Sequence, residues 1–313
     1  MSKKVIVAAR TFGRGDPEGA NMLKQAGLEL VYLPEKATAH EEILALMKET
    51  ESVAIVAGGE PITKEMIAAS PNLKVIAMHG AGLNHIDLPL AVERGIVVQA
   101  VPGGNAEAVA DFTIGLMIAA ARHIVEADAS IRKGEWGTFV GSSVNDKTIG
   151  IVGFGAIGQG VAKRANGFSM KVLAYDVFHN EEAASKLHAT YVDLNTLLSQ
   201  SDYITLHVPL TPETTKLIDE RALGLMKKTA ILVNISRGGV VDEIALSNAL
   251  KESRIGAAAV DTYSKEPLPG DHVLRSAPHC ILTTHMGGRT RESARFIGIE
   301  VAKIILRSLA INP

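Results

Sequence analysis

Short apolar runs and longer amphipathic stretches alternate along this chain. Up to residue 98, the runs Val5–Ala9, Leu28–Tyr32, Val53–Val56, Val75–Met78 and Ile96–Val98 have the length and bounds of buried strands. Between them the pattern predicts helices. One near Ala20–Gln25 is stopped by Gly27, and one near Leu88–Arg94 is stopped by Gly95. Thr38-x-x-Glu41 reads as a capping box ahead of Ile43, Leu44 and Met47, and Ile67 and Ala68 fall on a further short helix. Repeated β-α units of this kind imply a parallel sheet with helices on its faces.

The pattern breaks at Val101-Pro102-Gly103-Gly104. Asn105 then suits the N-cap of a helix running to Arg122, with Val109, Phe112, Leu116 and Ala119–Ala120 on a wide apolar stripe. A polar stretch, Arg132 to Asp146, follows. The alternation resumes with predicted strands at Ile149–Val152, Val172–Tyr175, Tyr203–His207, Ala230–Ile235, Ala257–Asp261 and Ile281–Thr284, and a helix at Glu243–Lys251. Beyond His285, Arg291–Leu309 reads as one helix with no strand. It cannot build a domain alone and is expected to pack on the first unit. The predicted division is a discontinuous domain, 1–100 with 286–313, and a domain over 101–285.

The strand Ile149–Val152 ends in Gly153-Phe154-Gly155-Ala156-Ile157-Gly158, and a helical pattern opens behind it. Gly153 permits a tight turn, Gly155 lets the backbone approach a pyrophosphate, and Gly158 lets helix and strand pack closely. The helix N-terminus, with Ala156 and Ile157, faces the phosphate charge. The next strand ends at Asp176, eighteen positions beyond Gly158, near the roughly 20 expected for an acid that holds a ribose 2′-hydroxyl. Its carboxylate would repel a 2′-phosphate, and no Arg follows at Val177 or Phe178. The expected cofactor is NAD.

Three polar residues stand where later strands end: Arg237 in Asn234-Ile235-Ser236-Arg237-Gly238-Gly239, Glu266 shortly after Asp261-Thr262-Tyr263, and His285 after Ile281–Thr284. Ligands of open α/β sheets bind outside these strand ends. Hydride chemistry on a 2-oxo acid needs a cation for the carboxylate, best a guanidinium fork. It needs an acid for the carbonyl oxygen, usually His, and a carboxylate beside that His. These three residues supply that set.

Composition narrows the classes. With 47% hydrophobic and 21% charged residues over 313 positions, the chain has material for two cores. A net charge of −2 gives no bulk attraction to nucleic acid or to a membrane surface. One cysteine, Cys280, forbids an internal disulfide and suggests a reducing compartment. The N-terminal apolar run is too short for a signal peptide, and a cytoplasmic location is expected. His279, Cys280 and His285 do not suggest a metal site, because neighbours on a strand point to opposite faces, so no metal is expected.

At these residues the chain resembles the D-2-hydroxyacid dehydrogenase family, nearest its phosphoglycerate dehydrogenase-like and hydroxypyruvate reductase branch. The matching segments are Gly80–Asp87, Gly153–Gly158, His207–Thr214, Ser236–Asp242, Asp261–Pro267 and His285–Gly288. The resemblance implies an α/β fold of two doubly wound parallel-sheet domains, a Rossmann-like cofactor domain inserted into a flavodoxin-like substrate domain. It implies that Arg237 anchors substrate, Glu266 tunes the histidine and His285 is the general acid/base. The cofactor would also meet His207, Pro209, Thr214, Ile235, Arg237, Asp261 and His285. Substrate would meet Ala81, Gly82, Leu83, Arg237 and His285, the first three through main-chain N–H groups. A homodimer is implied, formed by the cofactor domain through the helix from Asn105 and the arm near Trp136.

Asp111-Phe112 departs from the family's more usual Glu-His. Val56–Glu60 lacks the arginine that phosphoglycerate enzymes commonly carry there, and the chain, ending at Pro313, is expected to carry no appended regulatory domain. The expected reaction interconverts a small D-2-hydroxy acid and its 2-oxo acid, of hydroxypyruvate, glyoxylate or 3-phosphoglycerate type. Phosphite or formate oxidation, or an NAD-sensing corepressor, are the other readings. Glu266 stands where formate enzymes carry Gln. Arg10 and Arg289 are the cations available for a charged substrate tail, and a small uncharged tail is expected.

Overall fold

Val5 and Val7 face one side of a sheet while Ile6 and Ala8 face the other, and all four are buried. That is the signature of a strand covered on both faces, which is why these strands read as unbroken apolar runs. The computed structural model describes residues 3–33, 40–80, 82–83 and 85–311. Among them the chain forms two units, Met1–Asn105 with Arg289–Pro313, and Ala106–Gly288.

The first unit opens β1 (Lys4–Val7), α1 (Glu18–Gln25), β2 (Glu29–Tyr32), α2 (His40–Glu49), β3 (Ala54–Ala57), α3 (Lys64–Ala68), β4 (Val75–Met78), α4 (Leu88–Glu93) and β5 (Val97–Gln99). The five strands are all parallel in the order β2-β1-β3-β4-β5, a flavodoxin-like winding. Ile43, Met47, Met66 and Ile67 cover one face of the sheet. Thr38 of the expected capping box lies outside the described residues. Gly27 and Gly95 do end their helices, with φ of 80° and 65°.

The second unit runs α5 (Ala106–Ala121), α6 (Ile124–Arg132), β6 (Thr148–Val152), α7 (Ala156–Asn166), β7 (Lys171–Tyr175), α8 (Glu181–Lys186), β8 (Ala189–Tyr191), α9 (Leu194–Gln200), β9 (Tyr203–Leu206), α10 (Glu220–Leu225), β10 (Ile231–Asn234), α11 (Glu243–Lys251), β11 (Ala257–Val260) and β12 (Cys280–Leu282). Its seven strands are parallel in the order β12-β11-β10-β9-β6-β7-β8. The order reverses between β6 and β9, the switch point of a Rossmann-like sheet. One core packs Ile149 and Ile151 against Met117, Val161 and Ala165; the other packs Val152, Leu173 and Ile204 against Leu197 and Leu198. Gly150 allows the latter, since a Cβ there would collide with the Leu197 side chain and Ser201 Oγ.

The chain returns to the first unit as α12 (Arg291–Ser308), capped by Thr290 Oγ1, which accepts the Ser293 N–H at 3.1 Å. Ile297, Val301 and Ile305 join Val5, Val7, Val56 and Ala77 on the sheet's other face. α12 lies so close to α1 that a Cβ on Gly19 would collide with the Gly298 carbonyl, and Arg295 Nε donates to Glu18 Oε2 at 2.6 Å.

Two elements differ from the sequence reading. The helix from Ala106 ends at Ala121, beside the expected Arg122, but it is followed by an unforeseen helix: His123 turns into the left-handed region (φ 53°) and α6 departs at 63° ahead of the polar stretch expected from Arg132. The short β8 was not anticipated, because Ala189–Tyr191 carries little apolar signal. Among the described residues no single helix is long and apolar enough to cross a membrane. α5 owes its apolar character to burial within the second unit.

Candidate active site

β6 delivers the chain into Gly153 at φ 96°, beside the end of β9. A Cβ on Gly153 would sit 2.7 Å from the His207 carbonyl carbon, and one on Gly158 would collide with the Gly153 carbonyl oxygen. Both glycines are therefore required by the protein itself. Gly155 is different: a Cβ there meets nothing within 4 Å, so the space in front of the turn is open. Gly155 is also the N-cap of α7 and offers no side-chain acceptor to the first-turn N–H groups of Ala156, Ile157 and Gly158. Those N–H groups and the helix dipole suit a pyrophosphate.

Asp176, at the end of β7, turns back on this loop. Its Oδ2 accepts the Phe154 N–H at 2.6 Å and its Oδ1 the Phe178 N–H at 3.0 Å. An acid held at the edge of the glycine turn is where a ribose diol would be recognised. The residues present therefore fit a dinucleotide without a 2′-phosphate.

His207, Pro209 and Thr214 line the other side of the switch point. Both ring nitrogens of His207 are buried with no partner among the described residues, and burial pushes its pKa down to about 3. Thr214 Oγ1 donates to the Pro209 carbonyl at 2.6 Å and accepts the Thr211 N–H at 2.7 Å, which ties the loop to itself. Ile235 is buried just past β10.

The three candidate catalytic side chains come together. His285 Nδ1 and Glu266 Oε2 are 2.7 Å apart, and Glu266 Oε1 accepts the Tyr263 N–H at 3.0 Å. Partial burial works against the charge on Glu266, but the bonds from His285 and the Tyr263 amide, with the charges of His285 and Arg237, outweigh it and hold the carboxyl below its ordinary range. Arg237 Nη1 donates to the Ser236 carbonyl at 2.7 Å. Asn234 locks the turn that carries it, accepting from Ser236 N–H and Oγ–H and donating to the Arg237 carbonyl.

Asp261 does more here than its motif suggests. Only 1% exposed, it accepts Thr283 Oγ1–H at 2.6 Å and the Met286 N–H at 2.9 Å on Oδ1, and the Gly287 N–H at 2.9 Å on Oδ2. It thereby fixes the loop that bears His285. Sequence reasoning missed this part, as it missed Asn234 and Glu243. Glu243 accepts the Ser264 N–H at 2.9 Å and faces His272 Nε2 at 3.2 Å, bracing the loop of Glu266. The usable signal was a polar residue ending or just following an apolar strand or heading a helix. Asp111, at one departure from the family pattern, receives Arg164 Nε at 2.6 Å.

The first-unit candidates are less defined. Gly82 and Leu83 follow β4, and Leu83 packs against that unit's core. Ala81 lies outside the described residues. His79 is largely buried, with its pKa lowered by that burial.

An open parallel sheet with a glycine cradle, an acid on the next strand and an Arg, a Glu and a His at later strand ends is the arrangement of an NAD-binding α/β protein. Residues 114–287 match the family described as D-isomer specific 2-hydroxyacid dehydrogenase, NAD binding domain. A D-3-phosphoglycerate dehydrogenase from Methanocaldococcus jannaschii is 43% identical over 272 residues, 86% of this chain and 52% of that one. A glyoxylate reductase from Thermococcus litoralis is 41% identical over 280 residues, 87% of this chain and 84% of its own length. The solved structure of D-lactate dehydrogenase from Aquifex aeolicus complexed with NAD and lactic acid aligns with a TM-score of 0.83 at 27% identity, over 98% of this chain and 96% of that one. The chain belongs to the D-2-hydroxyacid dehydrogenase family. It spans about half the length of the phosphoglycerate dehydrogenases it matches.

Proposed function

We propose that this protein interconverts a small D-2-hydroxy acid and its 2-oxo acid with NAD, and that its preferred substrate has an uncharged tail, as in glyoxylate or hydroxypyruvate. The observation that carries this reading is the 2.7 Å pair of His285 and Glu266 on the same strand-end face as Arg237. NADH, held at the glycine cradle, would supply the hydride for the carbonyl carbon. His285, its Nδ1 held by Glu266, presents Nε2 to the carbonyl oxygen and gives up a proton as charge develops there. In the reverse direction the same nitrogen accepts the hydroxyl proton. Arg237 has spent one donor on Ser236 and keeps the others for the substrate carboxylate.

The uncharged tail is supported by Arg10. Its Nε lies 3.5 Å from Glu60 Oε1, so its charge is already answered by a carboxylate. Arg289, the other candidate cation, is exposed. One cysteine among 313 residues supports a cytoplasmic setting. A homodimer is part of the proposal, supported by the exposed apolar side chains Ile124, Val125, Ile131, Trp136 and Val140 on α6 and the arm that follows it.

The test is NADH absorbance loss with a panel of 2-oxo acids. Glyoxylate and hydroxypyruvate should give the highest kcat/KM, and 3-phosphohydroxypyruvate a lower one. The reverse ranking would overturn the tail assignment, and no turnover with any 2-oxo acid would overturn the reaction.

A further inference from the structure

A second cluster of ligand-type side chains lies away from the hydride site. His285 follows β12, whereas His279 precedes it, so the two mark opposite ends of one strand. At that other end His279 does not pair with Cys280 or His285. It meets His123, at the bend between α5 and α6, and Glu126, in the first turn of α6. One ligand atom from each lies within 4.8 Å of the others. Glu126 Oε1 is 4.0 Å from His123 Nδ1 and 4.0 Å from His279 Nδ1, and the two imidazole rings meet edge to face at 5.8 Å.

Two features separate this cluster from an ordinary surface ion pair. Glu126 Oε2 is buried with no hydrogen-bond partner among the described residues, an unanswered desolvation of a carboxylate oxygen. The ligand chemistry is also of one kind: two imidazoles and a carboxylate, the set that holds zinc where three protein ligands leave a fourth position open. Bond lengths of about 2.0–2.1 Å place tetrahedral ligand atoms roughly 3.4 Å apart, so closing from separations of 4.0 Å and up to 4.8 Å takes shifts on the order of an ångström. The His279 side chain, 54% exposed, leaves an entry path.

We propose that His123, Glu126 and His279 form a binding site for a divalent transition metal of zinc type, which clamps the start of α6 to the start of the edge strand β12. The metal neutralises Glu126 and draws together two segments that are distant in sequence. It takes no part in hydride transfer, and the proposal stands apart from the reaction assigned above.

The experiment uses the full chain after chelator treatment and dialysis, with Zn²⁺ alone in calorimetry and thermal unfolding and Co²⁺ alone in visible absorption. We expect one tight Zn²⁺ per chain, a raised Tm and a Co²⁺ absorption band typical of low coordination number. Glu126→Gln and His279→Gln should each weaken Zn²⁺ binding at least tenfold and abolish the Tm increase, while His285→Ala binds Zn²⁺ as the wild type does. Circular dichroism of each variant without metal, matching the wild type, shows that lost binding is not lost folding. Zn²⁺ binding unchanged in Glu126→Gln and His279→Gln, or no stoichiometric binding by the wild type, would overturn the site.

Discussion

Glu266 is gripped by two donors at once, the His285 ring and the Tyr263 amide, and this leaves the imidazole one orientation. Nε2 is then the nitrogen left for the proton transfer proposed above. Replacing His285 with Ala should lower kcat by a factor on the order of 10² to 10⁴ while NADH still binds, read by turnover and by NADH fluorescence titration. Near wild-type turnover would remove His285 from the mechanism. If Asp176 sets cofactor choice by charge, wild type should prefer NADH to NADPH in kcat/KM, and Asp176→Ala should erode that preference. Equal kcat/KM for both cofactors in the wild type would contradict the reading.

His207 gives a stability prediction with a definite sign. Burial lowers its folded pKa to about 3, while the unfolded chain titrates near 6.5. Above the unfolded value both states are neutral and the group contributes no slope. Between the two values the unfolded state binds the extra proton, so stability falls as pH falls, by on the order of 2 kcal/mol at pH 5. Urea unfolding of the nucleotide-free protein should show this acid slope, and His207→Asn should flatten it between pH 6.5 and 4 whatever its overall stability. An unchanged slope would mean that His207 protonates freely in the folded chain.

Among the elements, α5 and α7, already packed through Met117, Val161 and Ala165, are also tied by one polar side chain. Arg164, 20% exposed, donates to Asp111 Oδ1 at 2.6 Å, Glu107 Oε2 at 2.8 Å and the Gly160 carbonyl at 2.9 Å. Arg164→Ala should lower unfolding stability by on the order of 1 to 2 kcal/mol, because the carboxylates are exposed and only the guanidinium is substantially desolvated. A urea midpoint unchanged from the wild type would make the clamp ornamental. This pairing also marks the limit of what the sequence made legible. Strands buried on both faces announced themselves, because a continuous apolar run has few other uses. The glycine cradle and the three strand-end residues were legible because each sits at a fixed offset from such a run. The second helix, α6, was not: the helix end at Arg122 was legible, but a left-handed residue at His123 leaves no compositional trace that a new helix starts behind it. Nor was the close approach of Gly19 to Gly298, since two isolated glycines far apart in sequence carry no mark that they meet. Asp261 was read as a cofactor contact, and its grip on the Met286 and Gly287 amides is visible only once the loop is folded.

At the scale of the whole molecule, the apolar residues left uncovered matter most. Trp136 is 90% exposed and Val140 88%, and on α6 Ile124, Val125 and Ile131 are each about half exposed or more. Single exposed apolar side chains need no explanation, but this group falls on one helix and the arm directly after it, where large apolar surface signals a partner. A second copy of the same chain is the simplest occupant, because a two-fold arrangement lets one patch cover itself. Trp136 is the chain's sole tryptophan, so its fluorescence reports this surface and nothing else. Sedimentation at micromolar concentration should give a dimer, with Trp136 emission shifted to the blue of free indole in water. Ile131→Asp combined with Val140→Asp should yield a monomer whose emission is red-shifted, with the fold retained by circular dichroism. A wild-type protein that sediments as a monomer with fully solvated Trp136 emission would defeat the dimer proposal.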